Sequence, residues 1–376
     1  MSAAGAPPAG PAAELAEELA GRTADLCARL SPTGEEGPLC DELERWARGR
    51  FPAVRRVGSS LAAWVDAAPA AGAPSAGGRP LVLLCGHLDT VPVHADDRGP
   101  PRREGGRLVA PGASDMKGGV AVAMALAERL PRAARDVDLA LVLYAREEGP
   151  YAEDELEPLL AAAPELGAAA LAICLEPTDG RLQLGCLGSL HATVRLRGRA
   201  AHSARPWQGE NAIHRAGALL AELAGRAPRE VASGGQLFRE VISATRIEGG
   251  GARNVVPDLC ALNLNFRFAP DRTLAGAEAE LVALAARHGA EVEVTDRAPA
   301  CPAHGDHPLV RRLVARTGVA TEPKQAWTDV ARLHAHGVAA VNLGPGATAQ
   351  AHQRGEWIEV AALERAYRLL EAFLRV

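Results

Sequence analysis

Lysine is nearly missing from this sequence: only Lys117 and Lys324 stand among its 41 basic residues. The deficit goes with abundant alanine and arginine, the codon bias of a GC-rich genome, so a scattered arginine carries little functional information. There is no long basic block, and acidic residues outnumber basic ones 46 to 41, a net charge of −5. Both facts argue against general electrostatic binding to nucleic acid. No stretch approaches the roughly 20 apolar residues of a membrane span. Residues 1–13 are small, Pro-rich and uncharged, lacking the basic start and apolar run of a signal peptide. The seven cysteines (27, 40, 85, 174, 186, 260 and 301) form no Cys-x-x-Cys pair, so they read as reduced thiols in a cytoplasmic protein. A Gly-x-Gly-x-x-Gly loop is absent after the first apolar strand, which argues against a nucleotide-binding α/β protein.

What is present suits a soluble chain of about two domains: 376 residues, 48% hydrophobic and 23% charged. Helical spacing marks residues 14–30 and 37–48. Apolar strands (80–85, 137–144, 169–174 and 339–343) then alternate with helices (118–130, 153–163, 308–317 and 360–376). That alternation predicts an α/β fold with a doubly wound, mainly parallel sheet. The middle differs in texture. Strands at 188–197, 241–248, 258–268 and 291–295 enclose helices at 211–225 and 271–288, the β-α-β-β-α-β order of a ferredoxin-like α+β domain. The expected organisation is a catalytic domain from 14–187 and 300–376, with residues 188–299 inserted. Residues 67–78 read as an exposed loop.

Metal-type ligands recur where these strands end. They are Gly86-His87-Leu88-Asp89-Thr90-Val91-Pro92, Ser114-Asp115-Met116-Lys117-Gly118-Gly119, Glu147-Glu148-Gly149, Glu176-Pro177 and His352. In an open α/β sheet, ligands bind beyond the carboxyl ends of the strands, so five distant segments can share one rim. Two imidazoles, several carboxylates and no thiolate suit borderline or hard divalent ions, zinc above all. Five ligands fit a paired site if one carboxylate bridges ions roughly 3.5–4 Å apart. Asp115, in its Gly-rich loop, is the natural bridge. Of the adjacent Glu147 and Glu148, one can ligate while the other stays free as a base, because neighbours leaving a strand point opposite ways. Each segment alone reads as an ordinary loop; their ordered recurrence does not.

This ordered series resembles the di-zinc aminoacylase/carboxypeptidase metallopeptidase family over nearly the whole chain after Glu14. The resemblance implies one zinc on His87, Asp115 and Glu176 and another on Asp115, Glu148 and His352, cobalt being a possible substitute. It further implies Glu147 as general base, Asp89 orienting His87, and a cis peptide after Asp115. Divalent ions bring the pKa of water from 15.7 towards roughly 7. Glu147 would take its proton during attack on an amide and pass it to the leaving amine. His202 is the candidate second oxyanion donor; in the family the matching histidine enters the neighbouring subunit's site, which implies a homodimer formed by the inserted domain.

For the substrate, Ser189, Asn254, Arg267, Thr328, Arg332 and Gly344 form the expected binding set, since arginine forks suit carboxylates. The segments around His202 and Trp327 look most like succinyl-diaminopimelate desuccinylases. The implied reaction frees succinate and LL-2,6-diaminopimelate from N-succinyl-LL-2,6-diaminopimelate, in lysine and diaminopimelate biosynthesis. Acetylornithine deacetylase, or another N-acyl amino acid amidohydrolase or dipeptidase, is the runner-up. A catalytically dead binding protein on the same fold is the reading from another class, and the presence of every candidate ligand and base argues against it. Gln353-Arg354-Gly355 and Cys186 depart from relatives and bear on the acyl group, not the metals.

Overall fold

The structure, a computed structural model, describes residues 11–68 and 78–376. Most of the Ala/Pro-rich start and most of the 67–78 stretch, expected as a loop, lie outside the described residues. The chain divides into two units. One contains the chain up to Leu184 with His304–Glu322 and Arg332–Val376; the other contains Gly185–Ala303 and Pro323–Ala331.

The first unit is built on an eight-stranded sheet. Its strand order is Ala53–Val57, Ser60–Trp64, Asp138–Tyr144, Leu81–His87, Leu171–Cys174, Ala340–Asn342, Leu182–Cys186 and Thr321–Lys324. Four central strands, from Asp138–Tyr144 to Ala340–Asn342, run parallel. Their sequences are continuous apolar runs because both faces are covered, and every residue of the first three is buried. The flanking pairs are antiparallel. The sheet is thus mixed α/β, parallel at its centre.

Two edge features escape hydrophobic patterning. Ala53–Val57 and Ser60–Trp64 form a hairpin with Gly58 at φ +57° in its two-residue turn, a conformation in which glycine is favoured. Thr321–Lys324 is too short and polar to announce itself as a strand.

The inserted unit holds an antiparallel sheet in the order Arg229–Ser233, Gln236–Gly249, Leu259–Phe268, Gly188–Arg197, Glu291–Ala298. Without its first strand, this is the ferredoxin-like arrangement. The extra strand joins Gln236–Gly249 through Gly234-Gly235, both at positive φ, a hairpin signal that patterning alone missed. Helices Ala212–Gly225 and Leu274–Arg287 are capped by Asn211 and Thr273, whose side chains accept the first free amide hydrogens. They cover one sheet face through Leu190, Ala192, Val194, Leu196, Leu262, Leu264 and Phe266.

The expected limits of this unit, 188–299, need correction. Pro323–Ala331 joins it because Trp327 Nε1 donates to Pro299 O at 3.1 Å and Gln325 bonds the backbone of Leu237 and Arg239. A return segment this short carries no periodic signal.

All seven cysteines are free and buried. Among the described residues no helix is long and apolar enough to cross a membrane.

Helix Gly118–Arg129 opens against the Leu171–Cys174 strand exit. A Cβ on Gly119 would overlap Leu175 O, a backbone atom that cannot move aside cheaply. Gly119→Ala should therefore cost about 1–3 kcal/mol or more by overpacking. Denaturant unfolding checks this, and an unchanged midpoint would refute it.

Candidate metal centre

Each candidate ligand emerges at the carboxyl end of a central strand or in a loop facing it. His87 ends Leu81–His87, Glu147 and Glu148 follow Asp138–Tyr144, and Glu176 follows Leu171–Cys174. Asp115 lies in the short helical turn Ala113–Lys117, and its peptide bond to Met116 is cis. His352, with φ +62°, lies in the loop beyond Ala340–Asn342.

These side chains converge. Ligand atoms of His87, Asp115 and Glu176 lie within 4.8 Å of one another, as do those of Asp115, Glu148 and His352. Asp115 belongs to both trios and divides its oxygens: Oδ1 is 3.2 Å from His87 Nε2, while Oδ2 is 3.7 Å from His352 Nε2. Glu176 Oε1 lies 4.0 Å from His87 Nε2, and His352 Nε2 lies 2.9 Å from Glu148. Three carboxylates and two imidazoles, with no thiolate, make a hard-to-borderline donor set with excess negative charge. Its chemistry fits two divalent cations sharing one carboxylate.

The imidazoles respond to that charge. Burial disfavours His87 as a cation, yet Asp115 and Asp89 hold its pKa well above the usual histidine value. The hydrogen bond with Glu148 raises His352 to about 8.

Asp89 does more than the sequence reading gave it. His87 Nδ1 meets the Asp89 backbone carbonyl at 3.0 Å, with the carboxylate at 3.6 Å. The carboxylate accepts the amide hydrogens of Glu147 (3.1 Å) and Glu148 (3.0 Å) and the Thr33 hydroxyl (3.0 Å). Burial opposes its ionisation, but His87 and these donors hold its pKa below the usual carboxylate value.

Two further carboxylates were not singled out from sequence. Glu36 accepts from the backbone of Gly34 (2.8 Å) and of Arg146 (3.2 Å), pinning the turn that carries Glu147. Glu356 accepts from the backbone of Gly112 (2.7 Å), Ser114 (2.7 Å) and Asp115 (2.9 Å). Burial raises Glu356 to about 7 against the pull of those amides. Its position four residues after His352 was the available signal.

Of the expected substrate residues in the first unit, Gly344 packs so closely that a Cβ would overlap the carbonyls of Leu175 and Glu176. Only glycine lets this loop close on the Glu176 strand exit. Arg332 requires correction. It is 2% exposed, donates to Glu157 Oε2 (3.1 Å) and Tyr151 O (2.7 Å), and stacks on the Tyr151 ring. Those donors are committed to the scaffold rather than offered to a ligand.

In the inserted unit, Ser189 and Arg267 are direct cross-strand partners. Arg267 is half-buried and Ser189 buried. Thr328 is buried, and Asn254 is exposed in the turn before Val255–Val256. His202 is exposed; its Nδ1 accepts from Ala204 N at 3.0 Å, so the neutral ring carries its hydrogen on Nε2.

The sequence profile of peptidase family M20/M25/M40 matches residues 83–376. A protein named as succinyl-diaminopimelate desuccinylase DapE, from Mycobacterium tuberculosis, is 41% identical over 293 residues, 78% of this chain and 82% of that one. A succinyl-diaminopimelate desuccinylase of Corynebacterium glutamicum is 35% identical over 352 residues, 92% of each chain. An acetylornithine deacetylase of Myxococcus xanthus is 32% identical over 309 residues, 79% of this chain and 80% of that one. Among solved structures, aminopeptidase PepT of Bacillus cereus superposes with a TM-score of 0.74 at 20% identity, covering 96% of this chain and 98% of that one. Bacillus subtilis YXEP, described as a dinuclear metal binding peptidase, gives 0.61 at 17% identity, covering 96% and 98%.

Glu356 clamps the loop that carries Asp115. Glu356→Ala should weaken Zn2+ uptake by the metal-free protein about 10–100-fold, the usual cost of losing a partner that orients a ligand. Titration calorimetry measures this, and an unchanged affinity would show that the loop holds itself.

Proposed function

The chain belongs to peptidase family M20/M25/M40, and from that premise we propose that its paired site hydrolyses N-succinyl-LL-2,6-diaminopimelate to succinate and LL-2,6-diaminopimelate. The protein is a metal-dependent amide hydrolase. The observation that carries the reading is the division of the Asp115 oxygens between His87 and His352, as a bridging carboxylate requires.

In this reading His87, Asp115 and Glu176 hold one divalent ion, and Asp115, Glu148 and His352 hold the second, zinc being the best match to the donors. Bound ions supply Lewis acidity and a water nucleophile at neutral pH. Glu147, set beside the ligands by Asp89, takes the proton of the attacking water and returns it to the leaving amine. The Nε2 hydrogen of His202 completes the oxyanion site from a partner subunit. Apolar residues left exposed on the inserted unit, Trp207, Ile247, Val255 and Leu259, support a homodimer formed there.

Arg267, Ser189, Asn254 and Thr328 supply carboxylate donors, with Gly344 shaping the loop beside Glu176. Identities of 41% and 35% to the Mycobacterium and Corynebacterium desuccinylase-named relatives, against 32% to the acetylornithine deacetylase, support the succinyl substrate. Diaminopimelate and lysine biosynthesis in the cytoplasm is the setting this reaction implies.

Assays of the zinc-loaded protein test the reading. N-succinyl-LL-2,6-diaminopimelate should exceed N-acetylornithine in kcat/KM by about ten- to several-hundred-fold, since one or two carboxylate donors left unpaired cost roughly 1–3 kcal/mol each. Preference for N-acetylornithine would sink the substrate while leaving the amidohydrolase. Glu147→Ala should retain two ions by elemental analysis yet lose turnover, whereas Glu148→Ala should weaken the second ion. Mixing inactive His202→Ala and Glu147→Ala subunits should restore part of the activity, because one site of each hybrid is complete. Verified exchange without recovery would rule out a histidine acting across the dimer.

A further inference from the structure

The inserted sheet has one face covered by helices and one that is not. Strand alternation puts Leu190, Ala192 and Val194 under the helices, and therefore Ser189 and His191 on the other side. Leu264 and Phe266 likewise point into the helical core, leaving Asn265 and Arg267 beside Ser189 and His191. This polar row holds an arginine in an unusual state. Arg267 is half-buried, and burial lowers its pKa. Among the described residues no carboxylate pairs with it at ion-pair distance, and its Nε donates to Asn265 Oδ1 at 3.0 Å.

That bond fixes what lies behind it. Arginine Nε–H can only donate, so the Asn265 atom facing it must be the amide oxygen. The Asn265 Nδ2 group then faces His191, its direct cross-strand partner, at 2.7 Å from Nε2. The same Nδ2 lies 3.5 Å from His191 Nδ1, which Asn263 Nδ2 also approaches at 3.4 Å, and a neutral His191 ring can accept from Asn265 at Nε2. Its pKa is lowered, by burial and by the Arg267 charge, in agreement with a ring kept neutral. The Asn265 amide is thereby oriented between Arg267 and His191. The Nη fork of Arg267, the part suited to a planar oxyanion, remains available.

We infer that His191, acting through Asn265, is a positioning residue that aims the Arg267 guanidinium at a carboxylate of the substrate. The inference rests on the amidohydrolase reading above and adds to it the element that makes the arginine selective. A guanidinium held at Nε has one direction in which to present its fork, so it favours a carboxylate that approaches along that direction. A freely rotating arginine would accept any.

The test uses four proteins: the parent, His191→Leu, His191→Gln and Arg267→Lys. His191→Leu fills the space without an acceptor; His191→Gln restores an acceptor through its amide oxygen. With the succinyl substrate, His191→Leu should raise KM about tenfold, the scale of weakening one hydrogen bond to a charged group. Its kcat should stay close to the parent value, and His191→Gln should recover most of the loss. Two substrate analogues identify the carboxylate: N-butyryl in place of N-succinyl, and the α-carboxamide in place of the α-carboxylate. The His191→Leu penalty should vanish with whichever analogue lacks the group that Arg267 holds. A penalty that persists with both, or an unchanged KM for the succinyl substrate, overturns the inference. If the parent cleaves none of these amides, the substrate reading fails, and crystal structures still decide the relay. The Arg267 guanidinium should leave its parent position in His191→Leu and keep it in His191→Gln; an unmoved guanidinium in His191→Leu overturns the relay.

Discussion

The hydrogen bonds from the Glu147 and Glu148 amides to the Asp89 carboxylate are what the rest of the site depends on. They join the ends of two neighbouring parallel strands, Leu81–His87 and Asp138–Tyr144, beyond the point where the sheet's own ladder stops. Adjacent glutamates would otherwise ride a turn that repels itself. With both amides held on one buried carboxylate, the two side chains have a fixed origin, the arrangement that the proposed split into ligand and base would need. Thr33 and Glu36 extend the clamp, so a loop far earlier in the chain also sets where Glu147 stands.

The same solution appears at the second loop. Glu356 receives three backbone amides from 112–115, and Asp115 is oriented by its neighbours' hydrogen bonds before any cation arrives. Carboxylates thus occur in two roles at this rim. Asp115, Glu148 and Glu176 face inward and accumulate negative charge; Asp89, Glu36 and Glu356 face backbone amides and spend theirs on geometry. The amides are neutral dipoles, so the second group steadies the first without cancelling the charge that attracts a divalent ion.

Much of this was legible in sequence because it is written in local patterns. The central strands are uninterrupted apolar runs ending in His, Glu-Glu or Glu-Pro, and strand exits in an open α/β sheet define the rim. The two long helices of the insert and its main strands were visible through periodicity. Arg332 shows the limit: an arginine near a candidate site has no sequence mark separating a substrate donor from one tied to Glu157 and Tyr151. Pro323–Ala331 joins the inserted unit through single long-range bonds, and Glu356 acts on residues more than 200 positions away. No window along the chain contains such relations. The Gly58 and Gly234-Gly235 hairpins were different, since their turn residues carried a signal that hydrophobic patterning ignored.

The separation between Glu356 and Ser114, 242 residues, has a consequence for how the protein is made and kept. Loop closure over such a span brings its entropic cost before any local contact repays it. The Asp115 loop therefore takes its working shape only where the sheet has brought both segments together. An ion held by Asp115, as proposed above, would favour chains in which this loop is formed and draw the population towards the folded state by mass action. Loss of such an ion would then lower the resistance of the first unit to unfolding, and susceptibility to proteolysis would become a gauge of site occupancy.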